Sequence, residues 1–343
     1  MSLAEYTTNP RVQLTGLAFV VAVVVLAIGF VVFDWALDRI LTVGAVGRAF
    51  QLATPIALAA IGGLYAEKSG VFNIGLEGFM IIGAITAAIS MHYIGGGNDI
   101  GQGAVWAAIL FTAVFSALLT ALYAVLLIRY KADQIVAGLA VWFIGLGFAP
   151  FASTLVWGSV NSGRIETVDN IALPFTARAV SPLVVLAIVI TVIAWVFLYK
   201  TRYGYWVQAA GENPKALDTA GVNVNRVRYA TLIFSGLMAG LGGAVLLAHE
   251  GSWVGTGDTM TDGRGWIGIV AYLFGNYNPI GAAVSALLFG GLDSLNIQLQ
   301  VIDAPAPGRL IGLLPYLGVV VVLALWGKTR MPATVGEPYE KEE

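Results

Sequence analysis

The chain has 343 residues, of which 58% are hydrophobic and only 11% charged, and its mean hydropathy is +0.82. Soluble domains carry about 25% charged residues, so this composition excludes one and indicates a membrane protein with several spans. The net charge is −2 and there is no cysteine. The absence of cysteine excludes disulfides, thiolate metal sites and a cysteine nucleophile. A nucleic-acid partner is not expected of such a membrane protein.

Apolar runs along the chain predict ten membrane-spanning helices, because crossing about 30 Å of hydrocarbon takes close to 20 apolar residues. The predicted spans are 14–33, 48–66, 78–94, 104–128, 134–155, 181–199, 229–248, 265–275, 279–299 and 310–327. The eighth is too short for a normal span, and a broken or re-entrant helix is the alternative. The fold class is thus an all-α transmembrane bundle, expected as a single domain over residues 1–343.

The distribution of Lys and Arg predicts how the bundle sits in the membrane. With the N-terminus inside, twelve of the 18 basic residues fall on the cytoplasmic side and six outside. An excess of basic residues marks cytoplasmic loops. We therefore expect both termini in the cytoplasm, together with residues 67–77, a loop over 200–228 and a short tail over 328–343.

Two glycine-rich polar segments, 69–78 and 261–268, each precede a helix of small residues, one in each half of the chain. Interrupted segments in corresponding positions of two halves point to a transport pathway between them. Glu77 lies in the first segment. It is either a functional acid inside the membrane or an acid at a helix N-terminus, where the helix dipole favours it.

Polar side chains in or beside the predicted spans could line a route for an uncharged solute that forms hydrogen bonds. The alternative is that each one joins two helices, with a bond worth about 0.6 to 2 kcal/mol. Few basic residues fall within the spans, which disfavours a phosphorylated solute. The candidate pathway residues are Gln51, Thr54, Asn73, Glu77, Gln134, Asp293 and Asn296.

The polar loop 200–228 carries the signals of a short helix of its own. Asn213 fits an N-cap, Pro214 the first helical position, and Gly221 a left-handed position after the C-terminus. The predicted helix has about two turns. A helix of this length is marginal alone, because nucleation costs more than a few residues return. It is therefore expected to dock on something.

One face of this helix is weakly apolar, since Ala216, Leu217 and Ala220 recur at helical spacing. Two docking partners remain open. One is the groove of a soluble partner, and the other is the cytoplasmic rim of the membrane domain itself.

Several segments of the chain together resemble segments that occur in the same order in a known family. They include E-K-S-G-V-F-N-I-G-L-E-G at 67–78 and G-E-N-P-K-A-L-D-T-A-G-V at 211–222, with further matches at 51–63, 131–139, 263–269 and 278–281. The chain resembles the membrane permease subunits of ATP-binding-cassette (ABC) importers for nucleosides and simple sugars. It is most similar to the shorter-type permease of lipoprotein-dependent nucleoside uptake systems. Related families carry ribose, other sugars or branched-chain amino acids.

The resemblance implies three partners: a related second permease subunit, cytoplasmic ATPase domains that bind ATP and Mg²⁺, and an extracytoplasmic solute-binding lipoprotein. It implies no cofactor in this chain. The stretch 327–329 ends like a phosphate loop, but Val322 occupies the place of its first glycine. In the family, the segment matching 211–221 is the coupling helix that receives the movement of the ATPase. The implied coupling residues are Gly211, Glu212, Asn213, Pro214, Ala216, Leu217, Ala220 and Gly221.

These observations predict a plasma-membrane subunit of an ATP-driven importer that moves nucleosides or simple sugars inward by alternating access. The main alternative is an ion-coupled secondary transporter, in which Glu77 or Asp293 is the coupling acid. A purely structural membrane scaffold is a further alternative. An essential coupling segment favours the importer, and an essential membrane acid with a dispensable 211–221 helix favours the secondary transporter.

Overall fold

The computed structural model describes residues 42–97, 100–172, 179–257, 259–301 and 331–340. Over these residues the chain is helical apart from loops and one small antiparallel ladder. The predicted spans 14–33 and 310–327 lie outside the described residues.

The elements follow one another in a simple order. They are α1 (Val43–Lys68), α2 (Leu76–Ile94), α3 (Gln102–Ala124, continued by a π turn, Val125–Arg129), α4 (Gln134–Trp157), β1 (Ile171–Ala172), β2 (Ala179–Val180), α5 (Pro182–Lys200), α6 (Arg202–Glu212), α7 (Pro214–Thr219), α8 (Val224–Glu250), α9 (Arg264–Phe274) and α10 (Pro279–Val301). The two strands pair with Ile171 opposite Val180.

Seven helices in the described part of the chain are long and apolar enough to cross a membrane: α1 to α5, α8 and α10. They confirm seven of the predicted spans. Helix α9 has 11 residues, about 16 Å at 1.5 Å per residue, and cannot cross alone. This favours the broken-helix alternative for 265–275. The ten-span count and the cytoplasmic position of both termini stay predictions.

Side-chain caps explain where several helices begin. Thr42, Asp133 and Asn223 precede α1, α4 and α8, and each accepts hydrogen bonds of 2.9–3.0 Å from backbone N–H groups two or three residues later. Such caps satisfy donors that the first helical turn leaves without partners. The chain thereby fixes each start locally.

The centre of the bundle depends on backbones that lie in direct contact. A side-chain carbon at Gly83 of α2 would begin 2.2 Å from the carbonyl oxygen of Gly240 in α8, and one at Gly243 would begin 2.0 Å from that of Met80. Small residues allow membrane helices to approach this closely. Helices α1, α2 and α8 therefore form the buried core of the bundle.

Helices α3, α4 and α5 form the periphery. Their outward faces carry large exposed apolar side chains, which suits contact with lipid rather than water. Examples are Leu110, Phe111, Leu118, Leu122, Phe143, Ile144, Phe151, Leu155, Ile188 and Ile193.

The connection between α1 and α2 is buried. Residues 69–75 are not helical, as expected of a connection, and Ser69 and Asn73 are at most 1% exposed. The cytoplasmic position of residues 67–77 stays a prediction. Backbone without helical structure is tolerated inside a membrane protein where the chain surrounds it and supplies hydrogen bonds. The same glycine and polar residues occur in exposed loops, so composition alone did not separate the two cases.

Candidate functional site

The two interrupted segments of the sequence meet at Glu77. Its Oε1 accepts hydrogen bonds from Thr261 Oγ1 at 2.6 Å and from the Gly263 N–H at 3.1 Å. Its Oε2 accepts one from the Gly265 N–H at 2.6 Å. The side chain is only 1% exposed. The carboxylate thus caps the N-terminus of α9 while lying in the first turn of α2, where both helix dipoles favour a negative charge.

The junction requires glycine at two positions of α9. A side-chain carbon at Gly265 would lie 2.5 Å from the backbone N and Cα of Glu77, closer than real contacts allow. Gly263, the N-cap, has a φ of +74°, in the left-handed region that glycine adopts without strain. The G-x-G spacing therefore serves a close approach of two backbones.

An ion pair adjoins the junction. Arg264 Nη2 lies 3.2 Å from Asp293 Oδ2, and both side chains are mostly buried. Arg264 Nη1 also donates to the carbonyl oxygens of Met260 and Thr261, at 3.3 and 3.2 Å. Asp293 on α10 is thereby connected to the start of α9.

The non-helical segment between α1 and α2, residues 69–75, is held by polar side chains of other helices. Asn73 Nδ2 donates to Ser235 Oγ of α8 at 2.9 Å, and Asn73 Oδ1 accepts from the Gly75 N–H. Gln134 Oε1 of α4 accepts from the Phe72 N–H at 2.6 Å. We call residues 69–75 the break. Its hydrogen bonds explain how it remains buried.

The predicted pathway residues therefore fall into two groups. Asn73, Glu77 and Gln134 lie along or against the break, and Asp293 joins them through Arg264. The other three are not bonded to this cluster. Thr54 donates to the Phe50 carbonyl of its own helix, Asn296 accepts from Gln300, and Gln51 is partly buried on α1.

A second buried acid was not among the predicted site residues. Glu67, 1% exposed at the end of α1, accepts hydrogen bonds from the hydroxyls of Tyr272, at 2.8 Å, and Tyr277. Tyr272 is in the last turns of α9, and Tyr277 follows that helix. Glu67 and Glu77, one on each side of the break, thus hold opposite ends of α9. The signal in the sequence that could have identified Glu67 is its position as an acid directly after the apolar run 48–66.

The loop 200–228 forms the expected short helix, α7. Asn213 Oδ1 accepts from the Ala216 N–H at 3.0 Å, Pro214 is the first helical residue, and Gly221 has a φ of +83°. These three local predictions are confirmed. The helix has six residues.

The expected apolar face of α7 is divided in the structure. Leu217 is buried against Ala210 and Val224, whereas Ala216 and Ala220 are exposed. Glu212, just before the helix, is exposed too. Leu217 therefore anchors α7 to the membrane domain, and Ala216 and Ala220 are open to a partner.

Helix α6, which precedes α7, was not predicted. A side-chain carbon at its Gly211 would lie 2.4 Å from the Lys68 carbonyl oxygen and 3.1 Å from the Gly70 nitrogen. The end of α6 is therefore in backbone contact with the end of α1 and the beginning of the break. This places α7 beside the segment that leads to Glu77.

Comparisons with known proteins give the family. The family described as branched-chain amino acid transport system / permease component matches residues 46–325. A guanosine ABC transporter permease of Bacillus subtilis is 34% identical, covering 84% of this chain and 94% of the relative. A nucleoside ABC transporter permease of Lactococcus lactis is 34% identical, covering 85% and 95%. A putative glucose ABC transporter permease of Haloferax volcanii is 31% identical, covering 82% and 91%.

No solved structure matches the chain. The relatives are permease components, and in such transporters ATP hydrolysis belongs to a separate subunit. The chain therefore belongs to the family of branched-chain amino acid transport system permease components, and it is a membrane-spanning subunit of an ABC importer in the plasma membrane.

Proposed function

We propose that this permease carries nucleosides or simple sugars into the cell. Its proposed partners are a related second permease subunit, a cytoplasmic ATPase that binds ATP and Mg²⁺, and an extracytoplasmic solute-binding lipoprotein, with no cofactor in the chain itself. The names of the three relatives, for guanosine, nucleosides and glucose, support this solute class. We further propose one permease domain over residues 1–343, with the loop 200–228 and the tail 328–343 in the cytoplasm.

The charges of the described interior support an uncharged solute. Glu77 has three donors, Glu67 has two tyrosine hydroxyls, and Asp293 has Arg264. Each of these acids is compensated within the chain, so a charged solute would gain little from them. Nucleosides and sugars bind through many neutral hydrogen bonds, which suits a polar interior without excess charge.

The observation that carries the proposal is the position of α7. Its outer side is exposed, and α6 links it through Gly211 to the start of the break. The residues on both sides of the break hold both ends of α9. Movement of an ATPase against α7 would therefore reach the junction at Glu77 through a short, packed path.

In this mechanism the chain performs no covalent chemistry. ATP binding closes the partner ATPase, shifts α7 and changes the relative stability of inward-open and outward-open arrangements. Such a shift requires that the partner interact differently with the two states. We propose that Gln51, Thr54, Asn73, Glu77, Gln134, Asp293 and Asn296 line the route between the two openings.

Uptake by cells that carry the complete system tests the proposal. We would compare labelled nucleosides and sugars in the native protein and in Glu212→Arg with Ala216→Glu. Both positions are exposed, so the change should alter the docking surface and leave the fold intact. Mismatched charge at an interface costs several kcal/mol, so uptake should fall by at least about tenfold. Glu212→Gln with Ala216→Ser is the matched control and should retain uptake.

The solute that competes most strongly with labelled uptake would identify the substrate. Uptake that survives removal of the ATPase and collapses with a protonophore would establish the secondary transporter instead.

A further inference from the structure

The segment 331–340, which we call the strap, lies across the elements that connect α7 to the break. Its Thr334 N–H and Oγ1 both donate to the Gly211 carbonyl oxygen, at 3.0 and 2.9 Å. Its Gly336 N–H donates to the Gly70 carbonyl oxygen at 3.1 Å. The strap thus bonds at once to the last turn of α6 and to the break. Its sequence gave no sign of this position.

Arg228, in the first turns of α8, forms hydrogen bonds both to the strap and to the break. The residue is only 3% exposed. Its Nε donates to the Ser69 carbonyl oxygen at 3.1 Å, and its Nη1 donates to that of Glu337 at 2.7 Å. Its Nη2 lies 3.4 Å from Thr334 Oγ1. The planar guanidinium carries five N–H donors in a rigid fork, so its separate nitrogens can bond to the break and to the strap at the same time.

The far end of the strap reaches α7 itself and the loop before α4. Tyr339 packs on the small apolar cluster formed by Ala210, Leu217 and Val224. Glu340 forms an exposed ion pair with Lys131. Leu217 is the buried residue that anchors α7, so the strap covers the attachment of the coupling helix.

We propose that Arg228 and Thr334 are positioning residues for coupling, and that the strap makes α7, the end of α6 and the break move as one unit. The inference rests on the proposed function. The end of α6 touches the break at Gly211, and Leu217 anchors α7. Further bonds across these elements resist their separate movement when an ATPase pulls on α7. The strap donates hydrogen bonds to Gly211 of α6 and Gly70 of the break, and its Tyr339 packs on the apolar cluster that contains Leu217 of α7. The buried Arg228 holds it to the bundle. Part of the force on α7 therefore reaches Ser69 and Gly70 through the strap.

The hydroxyl of Thr334 allows a sharp test. Thr334→Val has nearly the same shape and removes the bonds from Oγ1 to Gly211 and Arg228, whereas Thr334→Ser keeps the hydroxyl. The complete transporter in proteoliposomes would be assayed for solute uptake and for ATP hydrolysis in the same sample. We expect the Val variant to lose about three- to tenfold in solute moved per ATP hydrolysed, as loss of one or two partly buried hydrogen bonds allows. The Ser variant should restore the native ratio.

A structural role would give a different result. If the Val variant keeps the native ratio of solute moved to ATP hydrolysed, including by losing both activities in equal proportion, the strap does not couple the ATPase to transport. If the native system itself shows no ATP-dependent uptake, the proposed function fails, and this outcome is distinct because it appears without any substitution.

A distance measurement tests the same inference independently of activity. The chain contains no cysteine, so Thr219→Cys with Ala333→Cys can carry one spin label on α7 and one on the strap. Both positions are exposed. In the complete transporter, we expect the same distance without nucleotide and with bound ATP. A distance that changes with nucleotide would overturn the idea that the two segments move together.

Discussion

Two short helices of this protein are held in opposite ways. The N-terminal cap of helix α7 is Asn213, whose Oδ1 accepts a hydrogen bond from the Ala216 N–H only three residues later. Helix α9 is capped by Glu77, which is 188 residues away from Gly265 in the chain. Both helices are too short to be stable alone. Helix α7 is an exposed, locally determined element that a partner can contact. Helix α9 depends on residues that are distant in the chain and is part of the assembled interior.

This difference separates two tasks within one subunit. In the proposed function α7 receives force and must offer a free surface, which Ala216 and Ala220 provide. A helix in the buried interior must have its polar groups satisfied by the chain itself, and α9 is bonded at both ends by Glu77 and Glu67. Changes at α9 should therefore affect the fold, and changes at α7 should affect coupling.

The largest effect is expected from Gly265→Ala. The new carbon would meet the backbone of Glu77 at 2.5 Å, and backbone cannot move aside as a flexible side chain can. Such overpacking should destabilise the bundle by about 3 kcal/mol. Thermal unfolding of the purified protein measures it. Gly147→Ala is the matched control, because the helical Gly147 has open space around it. Equal unfolding temperatures for the two variants would contradict the close approach at Glu77.

Glu77→Gln should have the next largest effect. The amide supplies one acceptor oxygen and turns the other position into a donor, which would face the N–H of Gly263 or Gly265. Buried donors without acceptors cost about 1 to 3 kcal/mol. We expect thermal unfolding at lower temperature, with a smaller change in Asp293→Asn, whose partner is a single arginine at 3.2 Å. Equal effects in both variants would show that α9 does not depend on this cap.

Asn213→Ala tests the other side of the comparison. Removing an N-cap costs a helix about 1 kcal/mol. Because α7 is local and anchored mainly by Leu217, the loss should appear in this helix rather than in global unfolding. Hydrogen–deuterium exchange should accelerate over the amides of residues 215–219, with the unfolding temperature nearly unchanged. Asn213→Ser, which keeps a capping oxygen, should exchange like the native chain. A global decrease as large as that of Glu77→Gln would remove the distinction between the two helices.

The same distinction explains what could be read from the sequence. Asn213, Pro214 and Gly221 act on neighbours a few residues away, so their spacing alone predicted α7. The bonds from Glu77 to Thr261, Gly263 and Gly265 depend on how the two halves fold against each other. The sequence indicated both interrupted segments and a pathway between them, but not the hydrogen bonds that join them. The burial of the break was not predicted, and Glu67 was missed as a site, because burial is a property of the assembled bundle.

The smallest effect is expected at the outer end of the strap. Lys131 lowers the pKa of Glu340 below its ordinary value, through a hydrogen bond and charge attraction. Any stabilisation from this pair is present above the ordinary carboxyl pKa of about 4.3 and is lost as the pH falls through the lowered one. Between about pH 6 and 8 it should be constant, and because Glu340 is fully exposed, solvent and salt screen it.

Glu340→Gln should therefore leave uptake per ATP hydrolysed unchanged near neutral pH, whereas Thr334→Val lowers it. The two substitutions lie in the same ten-residue segment, one in an exposed ion pair and the other in partly buried bonds to Arg228 and Gly211. If Glu340→Gln lowered the ratio as strongly as Thr334→Val, charge at the surface would carry the coupling. The bonds of Thr334 with Arg228 and Gly211 would then lose their proposed role in coupling, because they are intact in the Glu340 variant.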